Sequence, residues 1–252
     1  MTQQNHSSDA KTEPEIYMSG SDSALLVHPD YRGQVTSSWF DPGAWGGYAR
    51  PVDSGGRGNA WFIDGYQLAV VLREYRRGGL IARLSEASYL FLRESDVRAF
   101  AEFRLLNVLA DQGLPVPKPV AARYQRKSPF LYCASIIIER IADSVPLADR
   151  FLSMELGLWH RLGRVLRRFH DAGVMHADLN CYNILVQGDD FYLIDFDKSR
   201  IRGESGAARW KKSTLDRLYR SLKKVAGKQE QGRLETRWVT MNNGYDGKPF
   251  SD

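Results

Sequence analysis

Cysteine is scarce in this chain of 252 residues, in which Cys133 and Cys181 are the two present. Two thiols cannot build a disulfide framework and are too few for a structural zinc site, so we expect both to be free in a reducing compartment. Long apolar runs are also missing, since even the longest, such as residues 68–72 and 136–138, have only a few residues. A membrane-spanning helix needs roughly 20 apolar residues, and the polar N-terminus has no signal-peptide core. We therefore expect neither a membrane span nor secretion.

Enough apolar residues are present for a folded core. The composition is 43% hydrophobic, 12% aromatic and 26% charged, which excludes wholesale disorder, collagen and coiled coil. The length suits one large domain or two small lobes. We expect residues 1–23, which are polar and aperiodic, to form a flexible tail, and residues 227–252, which contain several glycines and asparagines, to be loosely ordered.

Charge is distributed unevenly along the chain, whose net charge is +5. Residues 198–233 contain twelve Lys or Arg against three acids, whereas residues 1–31 contain one Lys against five acids. Such a basic segment favours an anionic partner, which can be a nucleic acid, a phosphorylated substrate or an anionic membrane face. Alternatively, the basic segment has no partner and is an ordinary solvent-exposed helix face, whose charge is balanced by acidic residues elsewhere in the chain.

The hydrophobic pattern predicts an antiparallel sheet with one helix in the first half of the chain. Two apolar runs flank the dipeptide Asp64-Gly65, which is typical of a hairpin turn. Gly113 is expected to end the helix. The predicted elements are strands at residues 60–63, 66–72, 120–124 and 131–138 and a helix at about residues 96–111.

The second half has a mainly helical pattern. Apolar residues at helical spacing predict an amphipathic helix over residues 158–169 that ends at Ala172-Gly173. A tight hairpin is predicted from residues 184–186 and 191–194, followed by a basic helix at about residues 208–226. On that helix we expect the apolar side chains to pack inward, namely Trp210, Leu215, Leu218 and Leu222.

Polar side chains at this second hairpin indicate a chemical function. Asn183 comes just before its first strand and Asp195 just after its second, so an amide oxygen and a carboxylate meet at the open end. Mg²⁺ prefers such oxygen ligands together with phosphate oxygens. We choose Asn183 over Asn180 as the second ligand because the hairpin brings Asn183 to Asp195. Asp178, on the same loop, is expected to accept the proton of a substrate hydroxyl. Together these residues form the pattern H-x-D-x-x-x-x-N followed by D-F-D, which predicts phosphoryl transfer.

The same residues resemble the protein-kinase-like fold, and the first half of the chain contains the counterparts of that fold in the expected order. Ser54-Gly-Gly-Arg-Gly58 precedes the first hairpin, and Val70-Val-Leu-Arg73 is similar to the strand motif V-A-I-K, with Arg in place of Lys. Glu102 lies on the helix that follows. The resemblance implies a two-lobed α+β fold, with a nucleotide-binding N-lobe over residues 24–140 and a catalytic, mainly helical C-lobe over residues 141–226.

The resemblance also implies how ATP is bound. Backbone amides of the glycine loop would approach its phosphates, and Arg73, paired with Glu102, would position them. The hinge between the lobes would bind adenine through its backbone at Glu139 and Ile141. The residues implied for the glycine loop are Gly55, Gly56, Arg57 and Gly58.

Three departures from the protein-kinase pattern bear on function. The glycine loop is not a complete G-x-G-x-x-G, Ala177 replaces the Arg of H-R-D, and Asp197 replaces the Gly of D-F-G. The short stretch after Asp197 also lacks an A-P-E signature. These departures predict a small-molecule kinase without an activation-loop switch.

Longer segments narrow the resemblance, and they lie at residues 71–80, 98–106, 113–123, 176–180 and 195–198. They are similar to the 3-deoxy-D-manno-octulosonic acid (Kdo) kinases of the lipopolysaccharide core kinase family, over about residues 55–226. The resemblance implies ATP- and Mg²⁺-dependent phosphorylation of the 4-hydroxyl of Kdo on a lipid A precursor, with Asp178 as the catalytic residue. It also implies a peripheral location on the cytoplasmic face of the bacterial inner membrane.

The implied acceptor is anionic, because Kdo has a carboxylate and lipid A has phosphates. We therefore expect Arg76 and Arg77, and Lys211 and Lys212 on the basic helix, to contact the acceptor or the membrane, and we expect no nucleic acid partner. Two alternatives stay open. One is a kinase for another acceptor, such as a core heptose or an aminoglycoside, and the other is a basic pseudokinase scaffold.

Overall fold

The computed structural model describes residues 15–52, 60–65, 68–75, 89–91 and 93–250. The strands are β1 (Ile16–Ser19), β2 (Ser23–Val27), β3 (Ala49–Pro51), β4 (Ala60–Gly65), β5 (Leu68–Glu74), β6 (Tyr89–Leu90), β7 (Pro119–Ser128), β8 (Leu131–Glu139), β9 (Val145–Pro146), β10 (Val174–Met175), β11 (Ile184–Gln187), β12 (Asp190–Leu193) and β13 (Arg200–Ile201). The α-helices are α1 (Arg98–Asp111), α2 (Leu147–Arg150), α3 (Leu156–Asp171), α4 (Ala207–Ala226) and α5 (Gln231–Tyr245). This is the predicted α+β architecture, with a sheet and one long helix followed by a mainly helical half.

The large sheet is antiparallel, in the order β1-β2-β7-β8-β5-β4-β3, with β6 also paired to β8. Side chains of successive residues point to opposite faces of a strand, so Ile136 packs on the α1 side and Ile137 on the other side. Phe100 and Phe103 of α1 cover the first face. The second face is covered by three short 3₁₀ helices over residues 29–48, which contribute buried aromatic side chains such as Trp45.

The first hairpin is confirmed, but its turn was placed wrongly. Asp64 and Gly65 lie within β4, whose pairing with β5 continues to Gly65 opposite Leu68. Two contacts explain why this dipeptide is extended. Arg140 donates to the Asp64 carboxylate at 3.0 Å, and the ring of Trp45 lies 3.4 Å from where a Cβ on Gly65 would be. Residues 66–67, which connect the strands, are outside the described part of the chain.

The flexible tail expected at residues 1–23 is wrong for residues 16–23. Ile16 pairs with Val27 at the start of the β1–β2 ladder, and β2 pairs in turn with β7. The short strand is stable because β2 supplies its hydrogen-bond partners, a long-range effect that local composition does not report.

The loosely ordered C-terminus expected at residues 227–252 is also wrong for residues 231–245, because α5 packs along α3. The contact is close where two glycines face the opposite helix. A Cβ on Gly163 of α3 would lie 2.6 Å from Tyr245 N, and a Cβ on Gly244 of α5 would lie 2.8 Å from His160 C. The glycines that suggested a loop therefore permit close packing of two helices.

His170 of α3 connects the three long helices. Its Nδ1 lies 2.6 Å from Tyr245 Oη of α5, and its Nε2 lies 3.0 Å from Thr214 Oγ1 of α4. Thr214 Oγ1 donates its single proton to Lys211 O, so His170 donates from Nε2 and accepts at Nδ1. Burial lowers the pKa of His170 to about 4, which keeps the ring neutral.

The other predicted elements of the second half are confirmed. The β11–β12 hairpin pairs Ile184 with Leu193 and turns at residues 188–189. The basic helix is α4, in which Trp210, Leu218 and Leu222 are buried. Neither Cys133 nor Cys181, both within the described part of the chain, is in a disulfide. Searching the described residues finds no helix that combines the length and the hydropathy of a membrane span.

Candidate active site

Arg73 of β5 joins two carboxylates from different parts of the fold. Its Nη2 donates to Glu102 of α1, which is the ion pair expected from the sequence, and its Nη1 donates to Asp195 after β12. Burial alone would lower the pKa of Arg73, but the carboxylates of Glu102 and Asp195 hold it well above its ordinary value. The guanidinium is therefore a fixed positive charge beside Asp195.

Glu102 is buried, with 2% of its side chain exposed, and it accepts at both oxygens. Its Oε2 accepts from Tyr75 Oη as well as from Arg73, and its Oε1 accepts from the backbone N–H of Phe196 at 3.1 Å. Burial and the adjacent Glu102 raise the pKa of Tyr75 well above its ordinary value, so the phenol stays a donor. Glu102 thus connects α1 to the D-F-D segment.

Asp197, which replaces the glycine of D-F-G, also pairs with α1. Its Oδ1 accepts from Arg98 Nε at 2.7 Å. Arg98 and Glu102 are four residues apart and lie on the same face of α1, so one helix face contacts two residues of D-F-D. Sequence reasoning missed this pair, although the i,i+4 spacing of Arg98 and Glu102 was available as an indication.

The loop that contains Asp178 is held by its own asparagines. Asn180 Nδ2 and Asn183 Nδ2 both donate to Asp178 O, at 3.1 and 3.0 Å. Asn180 Oδ1 accepts from the backbone N–H of Tyr182 at 2.9 Å. Asn180 is therefore used in closing the loop, while the side chain of Asp178 stays 57% exposed at the mouth of the site.

His176 connects this loop to the strand end that leads to Asp195. Its Nδ1 accepts from the backbone N–H of Asp178 at 3.2 Å, so its Nε2 donates to Ile194 O at 2.9 Å. Burial lowers the pKa of His176, which favours the neutral ring. The ring therefore connects the Asp178 loop to Ile194 by one hydrogen bond on each side.

The structure brings Asn183 and Asp195 to the open end of the β11–β12 hairpin. Ile194 N donates to Asn183 O at 3.0 Å, and Asp195 is the next residue, with a φ of +63°. A non-glycine residue in this left-handed region is uncommon and is often found at functional sites. Since Asn183 Nδ2 donates to Asp178, its amide oxygen is the atom available to a metal.

This donor set fits Mg²⁺. The ion binds hard oxygens, commonly one or two protein side chains completed by phosphate oxygens and water. Within the described ranges, no three His, Cys, Asp or Glu side chains form a group that could hold a metal by themselves. A divalent ion at Asn183 and Asp195 would therefore complete its coordination with phosphate oxygens or water.

Arg217 of α4 forms an ion pair with Asp178, a contact that was not predicted from the sequence. Its Nη1 donates to Asp178 Oδ1 at 2.7 Å. The basic run predicted a cationic helix but gave no indication that one arginine would reach the loop over residues 176–183, since Arg217 is 39 residues from Asp178 in the sequence.

The segment expected to be the hinge, residues 139–141, uses most of its backbone amides in the sheet. Glu139 N donates to Lys118 O at 2.8 Å and Arg140 N donates to Ala69 O at 2.9 Å. Ile141 N–H is the remaining donor of the three. Farther away, Lys211 and Lys212 of α4 lie 3.7 and 2.7 Å from Asp171 and Asp216. The glycine loop, Gly55, Gly56, Arg57 and Gly58, and the pair Arg76 and Arg77 lie outside the described residues.

The profile of the lipopolysaccharide kinase (Kdo/WaaP) family matches residues 43–245. This chain belongs to that family. It is accordingly a kinase, in agreement with the resemblance found in the sequence. It is 44% identical over 225 residues to the 3-deoxy-D-manno-octulosonic acid kinase of Stenotrophomonas maltophilia (strain R551-3), which covers 88% of this chain and 89% of the relative. The enzyme of the same name from Xanthomonas campestris pv. campestris (strain B100) is 41% identical with the same coverage.

A solved structure supports the fold of this family member. The structure of WaaP in complex with acyl carrier protein aligns with a TM-score of 0.52 and 19% sequence identity, over 89% of each chain. At this identity the likeness concerns the fold alone, and it confirms the predicted protein-kinase-like fold.

Proposed function

We propose that this kinase transfers the γ-phosphoryl group of ATP to the 4-hydroxyl of Kdo on a lipid A precursor. The observation that supports it most is the convergence of Asp178, Asn183 and Asp195 at one hairpin end, beside the Arg73–Glu102 pair. The extensive similarity to enzymes named 3-deoxy-D-manno-octulosonic acid kinase supports Kdo as the acceptor.

Arg73 would contact the phosphates of ATP. Its Nε is buried and has no hydrogen-bond partner within the described residues, and a buried donor without a partner is costly unless a ligand satisfies it. The backbone amides of residues 55–58 would approach the same phosphates. The hinge at Glu139 and Ile141 would bind adenine, with Ile141 N–H as its donor.

Asn183 and Asp195 would hold Mg²⁺. When bound, the ion neutralises charge on the phosphate oxygens. Asp178 then accepts a hydrogen bond from the acceptor hydroxyl and takes its proton as the new phosphate ester forms, a role typically worth about 10²–10⁴-fold in rate. His176 and Asn180 keep Asp178 in place through the backbone contacts described above.

Peripheral binding at the cytoplasmic face of the inner membrane is part of the proposal. Several exposed basic side chains of α4, namely Arg209, Arg220 and Lys224, have no ion-pair partner among the described residues. Each basic side chain near an anionic membrane surface contributes about 1 kcal/mol. Lys211 and Lys212, with Arg76 and Arg77, would add to this surface or contact the acceptor, once Lys211 and Lys212 exchange their acidic partners for lipid or sugar anions.

Transfer can be tested with labelled ATP, Mg²⁺ and Kdo-bearing lipid A precursor. The wild-type chain should label the lipid, and Asp178→Ala should abolish labelling while ATP binding is retained. Asp189→Ala, at the exposed turn of the β11–β12 hairpin, is the matched control and should keep full activity. Labelling of a heptose or an aminoglycoside instead of the Kdo lipid, or near-normal turnover of Asp178→Ala, would contradict the proposal.

A further inference from the structure

The ion pair between Arg217 and Asp178 is exposed and exchangeable. The side chains are 50% and 57% exposed, and a solvent-exposed pair of this kind contributes little to stability. The pair also occupies Asp178 Oδ1. This oxygen belongs to the side chain that is proposed to accept a hydrogen bond from the hydroxyl of the acceptor sugar. Arg217 therefore lies where the acceptor must bind, and its partner must be released for the reaction.

Arg217 is positioned by a rigid part of the fold. One turn farther along α4, Ser221 Oγ accepts from Cys181 N of the catalytic loop at 3.0 Å. Leu218 and Leu222 on the same helix are fully buried. Because α4 is docked against the loop at these points, the backbone of Arg217 is held in place and its side chain is within reach of Asp178.

Lys198 and Arg200 are also exposed near this loop, since Ser199 Oγ accepts from Ala177 N at 3.0 Å, but neither is paired with Asp178. Residues 176–183 contain neither Lys nor Arg. Arg73 is engaged with Glu102 and Asp195, and Arg98 is engaged with Asp197. Within the described ranges, Arg217 is the cation that contacts Asp178.

We propose that Arg217 binds the carboxylate of the acceptor sugar and thereby selects acidic sugars. The inference rests on the proposed function, in which the acceptor is a sugar acid. A carboxylate can take both N–H groups of one guanidinium edge, a geometry that arginine favours. When the sugar carboxylate takes the guanidinium, Asp178 Oδ1 is released to accept the hydroxyl. A neutral sugar offers no anion for this exchange, so Asp178 stays paired.

The test compares two acceptors that differ only at one group, the Kdo-bearing lipid A precursor and the same lipid with the Kdo carboxylate converted to the amide. Arg217→Ala should lower kcat/KM for the acid by about 10- to 150-fold, the range for a lost hydrogen bond to a charged group. For the amide the same substitution should not lower kcat/KM, since the carboxylate interaction is already missing there and the substitution also frees Asp178 from Arg217. The KM for ATP should not change.

Two further variants separate binding from folding. Arg217→Lys keeps the charge without the fork and should recover part of the preference for the acid. Arg167→Ala removes an arginine from a similar pair, 2.7 Å from Asp171 with side chains 48% and 51% exposed, and should leave both acceptors unaffected.

Equal losses for the acid and the amide in Arg217→Ala would overturn the inference, because Arg217 would then act on Asp178 or on the phosphoryl group. Absence of transfer by the wild-type chain to the acid would instead refute the proposed function, and the inference with it. The two failures are distinguished by the wild-type measurement alone.

Discussion

Replacing Arg73 with lysine keeps a positive charge at the site but removes the fork that joins two carboxylates. The two terminal nitrogens of Arg73 donate separately to Glu102 and Asp195. Lysine has one nitrogen on a flexible chain and cannot reproduce two divergent contacts from a planar group. Arg73→Lys should therefore lose one of the two charge-assisted hydrogen bonds.

The size of the effect follows from that single lost contact. A hydrogen bond to a charged group is worth about 1.5–3 kcal/mol, which corresponds to about 10- to 150-fold in a rate or binding constant. Since Asp195 is the proposed Mg²⁺ ligand, the loss should fall on kcat/KM for ATP. The KM for the acceptor should stay within about twofold, because Asp178 and Arg217 are not altered.

Steady-state kinetics with varied ATP and Mg²⁺ measure this effect directly. Arg50→Lys is a suitable control, because Arg50 pairs with Asp64 at 3.1 Å on the exposed side of the same sheet, where such a change should matter by less than about 0.5 kcal/mol. Wild-type kcat/KM for ATP in Arg73→Lys would refute the reasoning, since it would mean that a single ammonium group is sufficient here.

Two further predictions concern stability. The pKa of His170 is about 4 in the fold against about 6.5 in an unfolded chain, so the unfolded state takes up the proton first as the pH falls. The free energy of unfolding should then decrease by up to about 3 kcal/mol between pH 6.5 and 4. In urea denaturation, the free energy of unfolding of His170→Gln should depend less on pH than that of the wild-type chain. The same dependence in both proteins would contradict the lowered pKa of His170. Gly163→Ala should lower the free energy of unfolding by about 2–3 kcal/mol, because its methyl group would collide with the α5 backbone. Gly232→Ala, which meets open space in α5, is the control and should be neutral or stabilising, so similar losses in both would count against close helix packing.

The parts of the site that follow from local sequence were predicted correctly as geometry. The β11–β12 hairpin places Asn183 next to the residue before Asp195, and this follows from strand length and turn position alone. The pairing of Arg73 with Glu102 was expected from the resemblance to the protein-kinase-like fold, and the structure shows the ion pair. Their proposed roles toward ATP and Mg²⁺ stay predictions.

The contacts that were missed connect residues far apart in the sequence. Arg98 and Asp197 are 99 residues apart, and Arg217 reaches the Asp178 loop only because α4 docks against it. A basic run is compatible with many docked orientations, so charge counting cannot identify the one arginine that faces Asp178. The same holds for Gly163, whose close contact depends on a helix about 80 residues later.

The exchange of glycine for Asp197 has a structural consequence for how the site is held. Asp195, Phe196 and Asp197 each contact the sheet side of the fold, through Arg73, Glu102 and Arg98 in turn. A segment held at three consecutive residues is restrained along its length, and two of the contacts are between opposite charges in partly buried surroundings. Removing one partner of such a pair is costly, whereas glycine at the third position would leave that end of the segment unattached. Asp197 therefore favours a site that is already formed before the acceptor binds. In the proposed mechanism, the carboxylate of the acceptor then replaces Asp178 on Arg217, and Asp178 is free to accept a hydrogen bond from the acceptor hydroxyl.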